Sequence, residues 1–358
     1  TPNDSYHQLG REYRLYLPLY NQVKWLEIGV VKEASYEQLH VRPELPIVVY
    51  GTSIAQGACA SRPGMAWTNI LSRKMDRQVI NLAFSGNGRL EPELIDLVKE
   101  IKAKVYILDC LPNLTVHPNS EYTLEDVRHR IAASVTTLRA SHPEVPIVLA
   151  EHAGYTDAAI NVNRKKYFED VNAVLQASFD SLKHAGISSL YLIPRESFGQ
   201  DIETMVDGTH PNDLGMMRYA EGYEYELRKI LNEPIGQVST TKPVTQLREL
   251  RNYDWEKRHV EILNFKKEDG IETVVIGNSI THFWGGIPKG PRATGASSWY
   301  KTFGEHSLNM GYGWDRIENV IWRVYHGELD NLDPKKIILN IGTNNLQYNS
   351  NEEIVKGW

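Results

Sequence analysis

Residues 46–57 read "PIVVYGTSIAQG". An apolar, largely β-branched run ends on Gly-Thr-Ser and then turns polar. A continuous apolar run bounded by turn residues is the pattern of a strand covered on both faces, as in a parallel sheet flanked by helices. The pattern returns at residues 272–279, "ETVVIGNS", where it ends on Gly-Asn-Ser. In open parallel sheets, functional groups gather at the carboxyl ends of the strands. One chain therefore places a serine at such an end twice.

Working outward from the first run, four more strands are expected at "QVINLAFSG", "KVYILDC", "VPIVLAEH" and "SSLYLI". Helical spacing separates them at residues 64–75, 91–103, 123–141, about 158–184 and 212–231, with Asn212 capping the last. Strict alternation of strand and helix predicts an α/β fold, a five-stranded parallel sheet in a three-layer α/β/α sandwich over residues 46–233. Before it, residues 12–31 alternate apolar and polar and predict two short strands, so 1–45 reads as a β segment, the remnant of a β-sandwich module. Residues 234–245 are rich in Pro, Ser, Thr and Gly and read as a linker. Residues 246–358 restart the scheme with a charged helix and three strands, a partial second α/β module.

Composition bounds the chemistry. The chain has 358 residues, 41% hydrophobic and 23% charged, with formal net charge −6. Lys and Arg form no basic stripe, which argues against nucleic acid as a partner. No apolar run reaches the ~18 residues of a membrane span. The first ten residues are polar and lack the apolar stretch of a signal peptide. Two cysteines, Cys59 and Cys110, are too few for a disulfide scaffold and fit no zinc spacing. The ordinary reading is two free, buried thiols. A single disulfide is the alternative, because both lie near strand ends.

The polar residues beyond the strand ends of the first module make one chemical set. Ser53 follows the first strand, Gly86 the second, Asn113 the third, and Asp207 and His210 the fifth. A serine hydroxyl is a weak nucleophile until a base takes its proton, which His210 can do. Asp207, three residues before it, can fix the imidazole tautomer and stabilise the imidazolium. The N–H groups of Ser53 and Gly86 and the Asn113 side-chain amide could donate to the oxyanion of a tetrahedral intermediate. Each piece alone is a common turn or cap motif. Their order on successive strand ends is what joins them. Arg62, after the first strand, reads as a substrate contact or a surface ion pair, and His152, ending the fourth, as a substrate contact or a satisfied non-catalytic histidine.

These residues resemble the blocks of the SGNH hydrolase superfamily, also called the GDSL esterases. Ser53 stands in the first block, Gly86 in the second, Asn113 in the third, and Asp207 with His210 in the fifth. The stretches "GTSIAQG", "NLAFSGNGRLEPEL", "LDCLPNL" and "DGTHPNDLG" are similar to the branch found in bacterial glycan-active esterases, with Thr52 where other members carry an acid. The resemblance implies a flavodoxin-like sandwich and an acyl-enzyme on Ser53. It implies hydrolysis of small acyl groups, acetyl foremost, from a glycan such as sialic acid or a plant polysaccharide. It also implies a periplasmic or extracellular setting, and no metal or organic cofactor. A lysophospholipase, thioesterase or arylesterase using the same residues is the first alternative; a carbohydrate-binding protein with a relic site is the second.

The second module resembles the platelet-activating-factor acetylhydrolase branch through Ser279, Trp314 and Asn344. Trp314 occupies the position where that branch often has Gly. No Asp-X-X-His follows Asn344, so this site is expected to be incomplete and inactive alone. Truncation, a missing segment supplied separately, or a structural lobe would each account for it. If His210 is the general base, esterase activity falls on acidification, because a protonated ring cannot accept the serine proton. A pH–rate profile measures this, and a rate flat to about pH 5 would remove His210 from that role.

Overall fold

The computed structural model describes residues 14–33, 44–233, 239–246, 253–265 and 270–358. They fall into two compact units, one holding 16–33 with 45–232, the other residues 14, 15 and 44 with the described part of 233–358.

In the first unit the five expected strands form: β1 Ile47–Gly51, β2 Val79–Ala83, β3 Val105–Asp109, β4 Ile147–Ala150 and β5 Leu190–Ile193. All pair in parallel in the order β2-β1-β3-β4-β5. Six helices connect or follow them: α1 Ser53–Gln56, α2 Trp67–Met75, α3 Pro92–Val98, α4 Leu124–Ser141, α5 Val162–His184 and α6 Asp213–Ile230. β1, β3 and β4 are buried at every position, as continuous apolar strands under two helical layers must be. One core lies between the sheet and α2 and α6, around Trp67, Met216 and Tyr223; the other, between the sheet and α3–α5, contains Tyr106, Ile131 and Leu175. α4 opens with a capping box: the Thr123 hydroxyl accepts from Asp126 N–H, and the Asp126 carboxylate accepts from Thr123 N–H. Asn212 caps α6, accepting from Gly215 N–H at 3.0 Å.

Three expectations meet a different structure. Residues 14–31 form no strand. Two strands cannot bury a face by themselves, and here Trp25, Ile28 and Val31 are exposed. The segment is held from elsewhere: Gln56 donates to Leu19 O, and Arg73 donates to the Tyr16 hydroxyl at 2.9 Å and lies over its ring. Residues 239–245 are not a free tether. Thr240 is fully buried and donates to Glu353 O, and Val244 N–H donates to Glu318 O. Residues 234–238 of the expected linker lie outside the described residues. Cys110 is a buried free thiol, but Cys59 is exposed rather than buried, and the two are not bonded.

The second unit pairs β6 Thr273–Gly277, β7 Ser307–Gly311 and β8 Lys336–Asn340 in parallel, in the order β7-β6-β8. Its helices are α7 Trp255–Phe265, α8 Ser279–His282, α9 Ala296–Phe303, α10 Ile317–Arg323 and α11 Asn351–Gly357. β6 and β7 are buried throughout, while β8 is exposed along its length. Beside its apolar core, buried Arg323 bonds both Asp315 and Glu328. Burial raises the Asp315 carboxyl to about 7 even beside that cation.

One buried carboxyl in the first unit has no cation bonded to it among the described residues. Asp109 ends β3 and accepts from the Tyr223 hydroxyl of α6 at 2.9 Å. Burial raises its pKa to about 6, the Tyr223 bond offsetting part of the rise. The native state therefore holds this proton more tightly than the unfolded chain, whose aspartates titrate near ~3.9. Its contribution is fully present below about pH 4 and is lost as pH rises through about 6. Asp109→Asn keeps an acceptor for Tyr223 without titrating. The fall in thermal midpoint between about pH 4 and about pH 7 should shrink in this variant, as measured by circular dichroism.

Candidate active site

The site is built where β1 ends. Gly51 pairs with Ala83 on one side and Asp109 on the other. A Cβ on Gly51 would stand 2.8 Å from the Ala55 Cβ and 3.0 Å from Asp109 O, so only glycine lets α1 fold back this closely. Thr52 caps α1 and accepts from Ile54 N–H at 3.4 Å. Ser53 is the first residue of α1, where backbone N–H groups have no acceptor within the helix.

His210 arrives from the other edge of the sheet. After β5 the chain closes a tight loop through a bond from Val206 N–H to His210 O at 2.9 Å, then enters α6. Ser53 Oγ lies 2.9 Å from His210 Nε2, and His210 Nδ1 lies 2.7 Å from Asp207 Oδ2. Asp207 Oδ1 accepts from the N–H groups of Thr209 and His210 at 2.9 and 2.7 Å. Partial burial pushes the Asp207 carboxyl up, but the bonds from the His210 ring and from these two N–H groups outweigh it and hold it at about 2. Asp207 is therefore ionised at neutral pH and only accepts. Nδ1 must carry the proton, and Nε2 presents its lone pair to the serine hydroxyl. Arg164, on α5, braces this loop: it donates to the Thr209 hydroxyl, pairs with Asp157 at 2.9 Å and lies over the Tyr155 ring.

Gly86 has φ +72°, a conformation that glycine adopts at no steric cost. The residue before it is fixed from α1, Ser85 N–H donating to Gln56 Oε1 at 2.7 Å. The residue after it is held too: the Asn113 side-chain amide donates to Asn87 O. One of its two N–H donors is so anchored, leaving the second for a ligand. Asn81 of β2 ties the arrangement together, donating to Ala55 O at 2.8 Å and to the Thr68 hydroxyl at 2.9 Å. The residues singled out in the sequence, Ser53, Gly86, Asn113, Asp207 and His210, gather here; Gln56, Asn81 and Arg164, which hold their surroundings, were not singled out. Only the placement of Asn81, a polar residue inside an apolar strand, could have signalled one of them.

Arg62 is exposed and lies 3.8 Å from Asp213. His152 is 1% exposed, packed between Tyr155 and Phe168, and burial lowers its pKa to about 3. It is a neutral core ring, out of reach of a substrate.

The second unit repeats the frame atom by atom. Gly277 meets Thr281 and Asn340 as Gly51 meets Ala55 and Asp109. Asn278 caps α8, opened by Ser279. Asn309 of β7 donates to Thr281 O at 2.9 Å. His282 stands where Gln56 does and accepts from Gly313 N–H at 3.0 Å. Trp314 keeps a left-handed φ of +66°, and Asn344 donates to Asp315 O at 2.8 Å. Among the described residues, no histidine or carboxylate bonds the Ser279 hydroxyl.

The profile of the GDSL-like lipase/acylhydrolase family matches residues 44–228, and one for the N-terminus of SGNH-hydrolase-type esterases matches residues 1–36. A protein from Bacteroides ovatus described as a GDSL-like lipase is similar in structure, with 38% identity, a TM-score of 0.56, and 61% of this chain and 62% of that chain covered. The Drosophila melanogaster platelet-activating factor acetylhydrolase IB subunit beta homolog is 31% identical over 104 residues, 29% of this chain and 42% of that protein. The Homo sapiens platelet-activating factor acetylhydrolase IB subunit alpha2 is 46% identical over 52 residues, 14% of this chain and 22% of that protein. The chain thus spans less than half the length of these curated relatives. Among the described residues, no helix is long and apolar enough to cross a membrane.

If Asn113 donates to an oxyanion, Asn113→Ala lowers kcat on p-nitrophenyl acetate by about 10²–10³-fold with a smaller change in KM. A loss confined to KM would assign it to substrate binding alone.

Proposed function

The chain belongs to the GDSL-like lipase/acylhydrolase family, and on that premise we propose that residues 46–233 are a serine esterase that removes small acyl groups, acetyl foremost, from a carbohydrate. The observation that carries this reading is the unbroken chain from Asp207 through His210 to the Ser53 hydroxyl. Ser53 Oγ attacks the ester carbonyl as His210 Nε2 takes its proton. The Asp207 carboxylate stabilises the imidazolium without taking the proton itself. The developing oxyanion meets the N–H groups of Ser53 and Gly86 and the second Asn113 donor, none of which needs to reorganise during the reaction. Imidazolium then protonates the leaving sugar hydroxyl. Water, activated by the same ring, hydrolyses the acyl-enzyme.

The sugar substrate is supported by the resemblance of the first, second, third and fifth blocks to bacterial glycan-active esterases, with Thr52 in place of the usual acid. Sialic acid and acetylated polysaccharide both fit this chemistry. A periplasmic or extracellular location goes with such a substrate. We assign residues 246–358 to a second module on the same scaffold, in which no histidine or carboxylate among the described residues bonds the Ser279 hydroxyl.

Ser53→Ala should cut p-nitrophenyl acetate hydrolysis by about 10³-fold or more. Acetate release from O-acetylated sialic acid and from acetylated xylan then identifies the glycan. Retained activity in the variant would end the assignment of Ser53, and a preference for long acyl chains over acetate would favour a lysophospholipase or thioesterase.

A further inference from the structure

The Ser53–His210–Asp207 chain leaves one reactive side chain beside it unused. Cys59 lies in the turn that follows α1, and its thiol is free and exposed. The ligand atoms of Cys59, Asp207 and His210 lie within 4.8 Å of one another. They come from two separate segments, the turn after the nucleophile helix and the loop before α6.

We propose that Cys59, Asp207 and His210 form an inhibitory binding site for a borderline-soft divalent cation, with Zn²⁺ as its type. The ion is a regulator and not a cofactor. A thiolate, an imidazole nitrogen and a carboxylate oxygen form a three-ligand set that zinc accepts, with water completing a tetrahedron. Zinc–ligand bonds of about 2.0–2.3 Å put the ligand atoms about 3.5 Å apart, so a set already within 4.8 Å closes on an ion by side-chain rotation. Cys59 is a free thiol in the metal-free protein. Binding forms the Cys59 Sγ–metal bond and releases the thiol proton to solvent. Whichever ring nitrogen the ion takes, the base is lost. On Nε2 the metal occupies the lone pair that would accept the Ser53 proton. On Nδ1 it replaces that proton, and neutral imidazole then carries its hydrogen on Nε2. Cys110 cannot substitute for Cys59, because it is buried and donates to Tyr50 O.

The effect on catalysis rests on the reading of His210 as the base, so binding and inhibition are measured separately. CoCl₂ added to the purified full chain should give a near-ultraviolet thiolate-to-cobalt charge-transfer band in the parent that is absent from Cys59→Ala. ZnCl₂ should inhibit p-nitrophenyl acetate hydrolysis by the parent, and EDTA should restore it. Cys59→Ala should keep the metal-free rate and need about 100-fold more zinc for the same inhibition. No cobalt band in the parent, or a band equal in parent and variant, overturns the site whatever the enzyme does. Equal zinc sensitivity in parent and variant overturns the inhibitory role. A band in a chain without esterase activity upholds the metal site and rejects the catalytic reading instead.

Discussion

No side chain fits where β1 ends. Gly51 is pressed between Ala55 of its own helix and the carbonyl of Asp109 on the neighbouring strand. That close approach lets the chain reverse from strand to helix within two residues and holds Ser53 at the start of α1. The neighbours of Ser53 are set from there. Gln56, one turn further along α1, positions Ser85, and Asn81 of β2 grips the carbonyl of Ala55. Ser53, the segment around Gly86 and the core packing share one contact surface. A larger residue at position 51 would disturb all three together, although it touches no reacting atom.

The two units separate what this frame supplies from what catalysis adds. Both end a buried strand on Gly-X-Ser, and both fix the following helix with an asparagine at the third position of the paired strand. Both anchor a second asparagine on the carbonyl after a left-handed residue. That residue is Gly86 in one unit and Trp314 in the other, so the left-handed backbone is what the frame requires, and glycine is only its cheapest occupant. Asp207 and His210 follow β5 in the first unit, outside this shared frame. Repetition of the serine motif marks a repeated scaffold, and the two units differ in the partners of each serine.

Much of this was legible in the sequence because the parallel sheet writes itself as continuous apolar runs. All five strands and the Asn212 cap lay within those runs and caps. The gathering of Ser53, Gly86, Asn113, Asp207 and His210 was legible because chain order follows strand order at the carboxyl ends. Other features were hidden for physical reasons. Residues 14–31 carry strand-like alternation, but alternation records only the local half of strand formation; the other half is a partner to pair with. Residues 239–245 have linker composition, yet Thr240 is buried through contacts made more than a hundred residues later. The exposure of Cys59 and the burial of His152 depend on how a turn leaves α1 and how α5 crosses β4, which no spacing encodes. Asp109 could be read only as the end of a strand, since its partner Tyr223 is 114 residues away.

Helix α6 begins three residues after His210 and, about 15 Å along its axis, places Tyr223 against Trp67 and Asp109. Asp109 is the register partner of Gly51. One rigid rod thus references the loop of His210 to the strand that leads into Ser53. The consequence concerns insertions and deletions. Length changes between β3 and α4, or between β4 and α5, alter loops that this rod does not measure. A single residue inserted between His210 and Tyr223 would rotate Tyr223 about 100° around the helix, away from Asp109, or shift the loop that carries His210. The spacing from His210 to Tyr223 is therefore set by the contact of this rod with the sheet.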